Sequence, residues 1–529
     1  MKRLISTILV LSFMLTMLSC CSKPEELPEY DINDYKDGSA GLSGALDNDS
    51  LQNDDQSSGT QKPSGNTGSS QKPSGNTGSS SGNNTDIDSD EREDNRTQGS
   101  VDTNTQQNTP DLNYTDKTTT TIGDMVITSD SYDESKLSLP CIRLETFSGQ
   151  DITSRTDYQT GTITIDNTIK SFQKNKVAVE MRGRGNSTWT VFDKKAYKLK
   201  FAIKTNMFGM GEAKKWVLLA NALDETMLRN SLAFDLADIL NVTYTTSYRF
   251  VNLFVNGKYK GVYQLCEQLE EGTNRIDINS SKTGLLDTGY LIESYAATDK
   301  LEEKTFSLPE VDGKHLKAKE PGHQFVVKSP GPKTCTDEQV AYIKDYMSKV
   351  NEAIFKKDWD TFSSLCDVDS FVNMFLVDEI MLNNDMGYSF YMYKKAGGKL
   401  FLGPAWDYDQ SCGSSSHGGT TFKGWYAGSE HCWYTSLIEM PQFKALVKKR
   451  YNDNKSKLKG IIDSIDKTIK ANDFDFAMST YVYNTFGSKT RWRTMKEIYS
   501  LTTYKQHVEY LKTWLTNRFI WMEDQFKEW

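Results

Sequence analysis

Histidine is scarce in these 529 residues, only five in all, and none of the eight cysteines sits in a C-x-x-C pair. Zinc sites draw on clustered Cys and His, so no zinc framework is expected. Six cysteines, Cys141, Cys266, Cys335, Cys366, Cys412 and Cys432, are spread at irregular spacings. In an oxidising compartment some could pair, Cys412 with Cys432 being nearest in sequence, and buried free thiols are the alternative. A G-x-x-x-x-G-K-[ST] loop is also missing, which removes the Walker A way of holding a triphosphate. Past Leu18 no apolar stretch approaches the ~20 residues a membrane span needs. Charge of one sign is lacking in the body, where residues 126–529 hold 53 bases and 51 acids. That balance excludes a nucleic-acid binder relying on counterion release.

The net charge of −9 comes instead from residues 21–125, where 20 acids face 7 bases among Ser, Asn, Gly, Thr and Gln. So few apolar residues cannot offset the entropy of ordering, and this stretch is expected to be a disordered acidic spacer. QKPSGNTGSS at 61–70 recurs at 71–80, too short a period for a structural repeat. Before the spacer, Lys2 and Arg3 precede an apolar run from Leu4 to Leu18 and then Ser19-Cys20. Residues 1–20 thus resemble a bacterial lipoprotein signal, with Cys20 as the lipidated residue and the mature protein tethered outside the cytoplasmic membrane. An aromatic content of 11% gives the remaining ~400 residues a sizeable core.

In the body, 177–182, 196–201, 250–255 and 259–265 alternate at period two, the last two joined by Asn256-Gly257, which predicts a hairpin. A helical period runs from Asp224, a suitable N-cap, to Leu240. After Thr336 the pattern predicts helices over 338–355, 370–381, 441–469 and 504–526, interrupted by one hairpin turning at Gly397-Gly398. The fold class is α+β in two unequal lobes, with a cleft between lobes as the natural ligand site.

Chemistry concentrates in two places. Arg182-Gly-Arg-Gly185 running into Lys194, Lys195, Lys198 and Lys200 offers glycines for close backbone approach and cations for a polyanion such as a triphosphate. A hairpin loop with solvated lysines is the structural alternative. The second place is Asn383-Asn384-Asp385, a short hairpin, then Trp406-Asp407-Tyr408-Asp409. If that last segment is extended, Asp407 and Asp409 share one face and can share a hard cation. Three carboxylates around one hairpin suit metal-assisted phosphoryl transfer. The alternative is that Asp385 and Asp407 cap turns while Trp406 packs the core.

Six segments in this order resemble the CotH family of spore-coat kinases over roughly residues 137–450. They are RGRGNSTW, KKAYKLKF, WVLLAN with Asp224 and Arg229-Asn230, NGKYKGVYQLCEQ, GYLIE, and NND with PAWDYD. The resemblance implies an atypical protein-kinase-like fold, its sheet-rich N-lobe at about 137–330 and its helical C-lobe at about 331–529. It implies binding of ATP with Mg²⁺ or Mn²⁺ and phosphorylation of Ser or Thr in secreted or surface proteins. By the same resemblance Asp385 is the catalytic aspartate, and Asp407 and Asp409 lie in the metal-binding WDxD segment. Glu267 matches the acid that positions a phosphate-binding lysine, a role for which Lys195, Lys198 and Lys200 compete. Arg182 would face phosphate or maintain its loop, with Arg184 beside it among the nucleotide-binding cations. Where the family commonly has an asparagine before the aromatic hairpin strand, this chain has Ser389, a weaker cation ligand that would lower turnover or mark an inactive member.

Three other classes fit parts of the pattern. A surface adhesin would use the same lobes without turnover, a glycosyltransferase would use Asp407-Tyr408-Asp409 as a DxD clasp, and a glycosidase would use paired carboxylates without a metal. The segment from Ser411 to Trp433, rich in Gly and Ser with His417 and His431, is either a flap near the aspartates or an ordinary surface loop.

Overall fold

The period-two segments close on themselves. The computed structural model describes residues 137–295, 304–316, 324–383, 389–415, 421–425, 432–474, 498 and 501–529. All of these fall in one of the two units into which the chain divides, and the other, 37–123, lies outside the described residues. Strands β1 (Cys141–Thr146), β2 (Gln159–Asp166), β3 (Lys174–Arg184), β4 (Ala196–Asn206), β5 (Glu212–Leu219), β6 (Tyr248–Val255) and β7 (Lys258–Glu267) form a closed barrel in the order β1-β2-β3-β4-β5-β7-β6. Parallel pairing of β1 with β6 makes the closure, and the other neighbours are antiparallel.

Alternation sets which residues face inward. Tyr197, Leu199 and Phe201 of β4 pack inside with Met181, Trp216, Leu218, Tyr263 and Leu265. Lys198 and Lys200 therefore leave by the outer face. On β5, β6 and β7 that outer face is itself apolar: Val217, Leu219, Phe250, Val262 and Cys266 belong to the core shared with the helices. The hairpin expected at Asn256-Gly257 is present, both residues at positive φ (49° and 73°), as a turn matching the strand twist requires.

The helices are α1 (Ser187–Val191), α2 (Arg229–Ile239), α3 (Asp337–Phe355), α4 (Trp359–Leu365), α5 (Val368–Met381), α6 (Cys432–Leu437), α7 (Pro441–Lys459), α8 (Ile461–Asn472) and α9 (Tyr504–Glu528), counting described residues only. Two differ from expectation. The helix predicted from Asp224 begins at Arg229, because the Asp224 carboxylate accepts the N–H groups of Thr226 (2.9 Å) and Arg229 (2.8 Å) from a turn ahead of it. The span predicted at 441–469 divides at Gly460 into α7 and α8.

A second sheet departs from the simple two-lobe order. β8 (Tyr290–Tyr295), β9 (Thr305–Ser307) and β10 (Gln324–Ser329) pair with the hairpin β11 (Tyr391–Lys394) and β12 (Leu400–Leu402) in the order β12-β11-β8-β10-β9. It crosses the boundary drawn near residue 330: the later hairpin completes a sheet begun by the earlier half. The mixed α+β class holds, and the seven-stranded barrel was not foreseen. Cys141, Cys266, Cys335, Cys366 and Cys412 are buried free thiols, so the Cys412–Cys432 pairing is set aside. No helix among the described residues is long and apolar enough to cross a membrane. The expected signal, Cys20 and the acidic spacer lie outside the described residues, as do Asp385 and parts of the 411–433 segment, His417 and His431 included.

Candidate functional site

The Arg-Gly-Arg-Gly motif ends β3, and its glycines serve the chain's own packing. A Cβ at Gly183 would sit 2.3 Å from the Trp189 ring, and Gly185 has φ +93°. The space that the sequence suggested for a ligand is filled by Trp189. Arg182 and Arg184 point to the outer face, where β4 pairs Lys198 with Arg182.

Neighbouring cations differ in what holds them. Lys195 donates to the Trp189 carbonyl (2.5 Å) and Lys200 pairs with Glu180 (2.9 Å). Lys194 is buried, donating to the Val262 carbonyl (2.6 Å), and burial pushes its pKa down to about 7. Lys198 has no ion pair among the described residues. Burial, then the charges of Lys215 and Arg182, bring its pKa down to about 7, with Lys328 adding to the effect and Glu270 opposing it. Arg182 donates to the Arg155 carbonyl, while its Nε is buried without a hydrogen-bond partner. Glu267, whose pKa burial raises, accepts the Ser247 N–H (2.9 Å) and faces Arg275 (3.9 Å). Its cationic neighbour among the described residues is thus an arginine and not one of the three lysines.

Facing this cluster is the PAWDYD loop. Arg184 connects the two, its guanidinium 5.6 Å from the Trp406 ring centre, with Trp406 stacked on Phe234 (6.2 Å). Asp407 is half-buried in the left-handed region (φ 67°), so the loop is not extended there and the expected shared face with the buried Asp409 does not arise from strand geometry. Burial raises the Asp407 pKa, opposed by the Arg184 charge and a hydrogen bond from Ser389, while Glu293 adds to the rise. Glu293 is held by the Tyr391 hydroxyl (2.8 Å) and Lys328 (3.1 Å), so the second sheet brings acid and cation to the same place.

A fully buried scaffold fixes this loop from behind. The Asn221 amide donates to Gln264 (2.8 Å), Asn230 donates to Asn221 (3.0 Å), and the Tyr408 N–H donates to Asn230 (2.7 Å). Arg229 pairs with Asp224 (2.5 Å) and donates to the Ser411 carbonyl (2.9 Å). On α5, Asp378 receives the hydroxyls of Tyr408 (2.7 Å) and Tyr434 (2.9 Å), and burial raises its pKa to about 7. Arg518 of α9 pairs with Glu379 (2.9 Å) and donates to the carbonyls of Phe422 (2.9 Å) and Gly424 (2.7 Å), docking part of the segment read as a flap.

The family model for CotH kinase protein matches residues 181–522. This chain belongs to the CotH kinase family. No curated protein matches it. The match begins just before the Arg-Gly-Arg-Gly motif and takes in both the cationic barrel face and the PAWDYD loop. Of the residues that the CotH resemblance singled out, Arg182, Arg184, Lys198 and Asp407 are brought to one region. Lys195, Lys200 and Glu267 are each engaged by other partners, Asp409 is buried, and Asp385 lies outside the described residues. Sequence reasoning gave no role to Glu293 or Asn230, although both stand in the CotH-like segments. Asp378, Tyr391 and Lys328 carried no signal beyond a helix or strand pattern.

Proposed function

We propose that the protein is an extracytoplasmic kinase that uses ATP with Mg²⁺ or Mn²⁺ to phosphorylate Ser or Thr of secreted or surface proteins, through an atypical kinase-like arrangement. One observation carries the proposal: Lys198, which has no ion pair among the described residues, and Arg182, whose Nε lacks a hydrogen-bond partner, face through Arg184 a loop whose half-buried Asp407 has its pKa raised by burial. A polyanion would complete the first group and a divalent cation the second.

The residues fit both ligands. Arg182, whose Nε lacks a partner, and Lys198 would receive phosphate oxygens. Asp407 and Asp409 would hold Mg²⁺, with Asp407 the more exposed of the two; among the described residues there is no group of three possible donors, and Asp385 stands outside that set. Mg²⁺, when bound, neutralises charge developing on the phosphate oxygens. Asp385, which the resemblance matches to the family's catalytic aspartate, would take the proton of the incoming hydroxyl as its oxygen bonds to the terminal phosphorus and ADP leaves. Phosphoryl transfer consists mostly of positioning and charge stabilisation, so rigid support behind the PAWDYD loop matters as much as the ligands themselves.

Incubation of the full chain with labelled ATP, Mg²⁺ or Mn²⁺, and a serine-rich extracellular peptide pool tests this. Label should enter the peptides in the wild type and not in Asp385→Ala; equal incorporation by both would remove Asp385 from the mechanism. The Ser389 hydrogen bond to Asp407 supports a second reading, a nucleotide-binding surface protein of low turnover. ATP-dependent thermal stabilisation without label transfer would favour it. The proposed location rests on the pattern ending at Cys20, and loss of lipid incorporation in Cys20→Ala is its test.

A further inference from the structure

We infer that Tyr408 is a positioning residue that sets the metal affinity of the two aspartates flanking it, with Asn230 and Asp378 acting through it. This rests on the proposed function above, because it assigns a purpose to the segment between two expected metal ligands. Every polar group of Tyr408 is engaged, each by a different part of the fold. Its N–H donates to the Asn230 side chain of α2 (2.7 Å), and its hydroxyl to the Asp378 carboxylate of α5 (2.7 Å). Its carbonyl accepts both the N–H (3.1 Å) and the hydroxyl (2.7 Å) of Ser411. Ser411 is in turn fixed by Arg229 (2.9 Å), and the next residue, Cys412, donates its N–H to the Met381 carbonyl of α5 (2.7 Å).

Packing alone would be met by phenylalanine, since Tyr408 is 1% exposed in an apolar core. The hydroxyl is needed only because Asp378 stands opposite. The amide chain from Gln264 through Asn221 and Asn230 ends on the Tyr408 N–H, so the barrel wall is tied to the peptide between Asp407 and Tyr408. Freedom lost at Tyr408 is freedom denied to both neighbouring carboxylates. Outer partners that fix the direction of a ligand commonly change metal affinity by about 10–100-fold when removed.

The test compares Tyr408→Phe with Tyr434→Phe. Both remove one hydroxyl from the same Asp378 carboxylate, but only the first touches the loop. Calorimetric Mg²⁺ titration of the full chain, with a non-hydrolysable ATP analogue present, is run beside thermal unfolding in EDTA. Both variants should lower the melting temperature by similar amounts, and only Tyr408→Phe should raise the Mg²⁺ dissociation constant, about tenfold. Asn230→Ala should weaken Mg²⁺ binding in the same direction. Equal Mg²⁺ affinity in both Tyr variants, with wild-type Mg²⁺ binding intact, overturns the positioning role and leaves the kinase proposal standing. Wild-type protein that binds no Mg²⁺ with the analogue overturns both.

Discussion

Behind the PAWDYD loop and in front of it the molecule treats charge in opposite ways. In the buried scaffold Arg229 pairs with Asp224 and Arg518 with Glu379, and Asp378 accepts two tyrosine hydroxyls. On the outer barrel face, Lys198 stands among Arg182, Lys215 and Lys328; Lys215 pairs with Glu270 (2.9 Å) and Lys328 with Glu293 (3.1 Å), while Lys198 has no ion pair among the described residues. Paired ions hold geometry, and a lysine without an ion pair among the described residues is open to a ligand's charge. That contrast separates the residues which should change stability from those which should change binding.

The largest break falls on the scaffold. Arg518→Ala removes the arginine that pairs with the buried Glu379 and should cost about 3–5 kcal/mol in denaturant unfolding. The paired replacement of Arg518 and Glu379 by Met and Leu should cost far less, and an equal cost would mean the loss is packing and not charge. On the other side, Asp407→Asn should lower labelling activity at least about 100-fold. Its unfolding midpoint should hold or rise, since burial already disfavours the ionised Asp407.

Smaller effects sharpen the contrast at the cations. Lys198→Met should weaken nucleotide binding about tenfold by removing one charge-assisted contact. Lys195→Ala and Lys200→Ala, each already engaged, should shift it less than about threefold. The pH dependence has a definite sign. Lys198 is charged below its pKa of about 7 and neutral above it. A bound polyanion favours the charged form, so affinity should fall as pH rises from 7 to 9, by at most about tenfold per unit. The difference between wild type and Lys198→Met, titrated in parallel, isolates this from the nucleotide's own ionisation.

Why some of this could be read in advance is a matter of range. Period-two alternation is local, so 196–201 announced a strand. Closure of the barrel depends on β1 meeting β6, residues separated by more than a hundred positions, and nothing in either segment encodes that pairing. The same holds for the site. Arg182, Lys198 and Asp407 stand in recognisable motifs. Asp378 looks like any acid on a helix until Tyr408 and Tyr434 converge on it, and Lys328 until the second sheet brings it beside Glu293. The extended geometry expected for Asp407 and Asp409 failed because a left-handed residue can stand in the middle of a loop without leaving a signature when it is an aspartate.

Calorimetric titration of ATP into the full chain, once with Mg²⁺ and once with EDTA, tests the central contrast most directly. Saturable binding that depends on the metal, and loses that dependence in Asp407→Asn, is the result expected. Binding of equal strength with and without metal, or none at all, would contradict the assignment of the two sides.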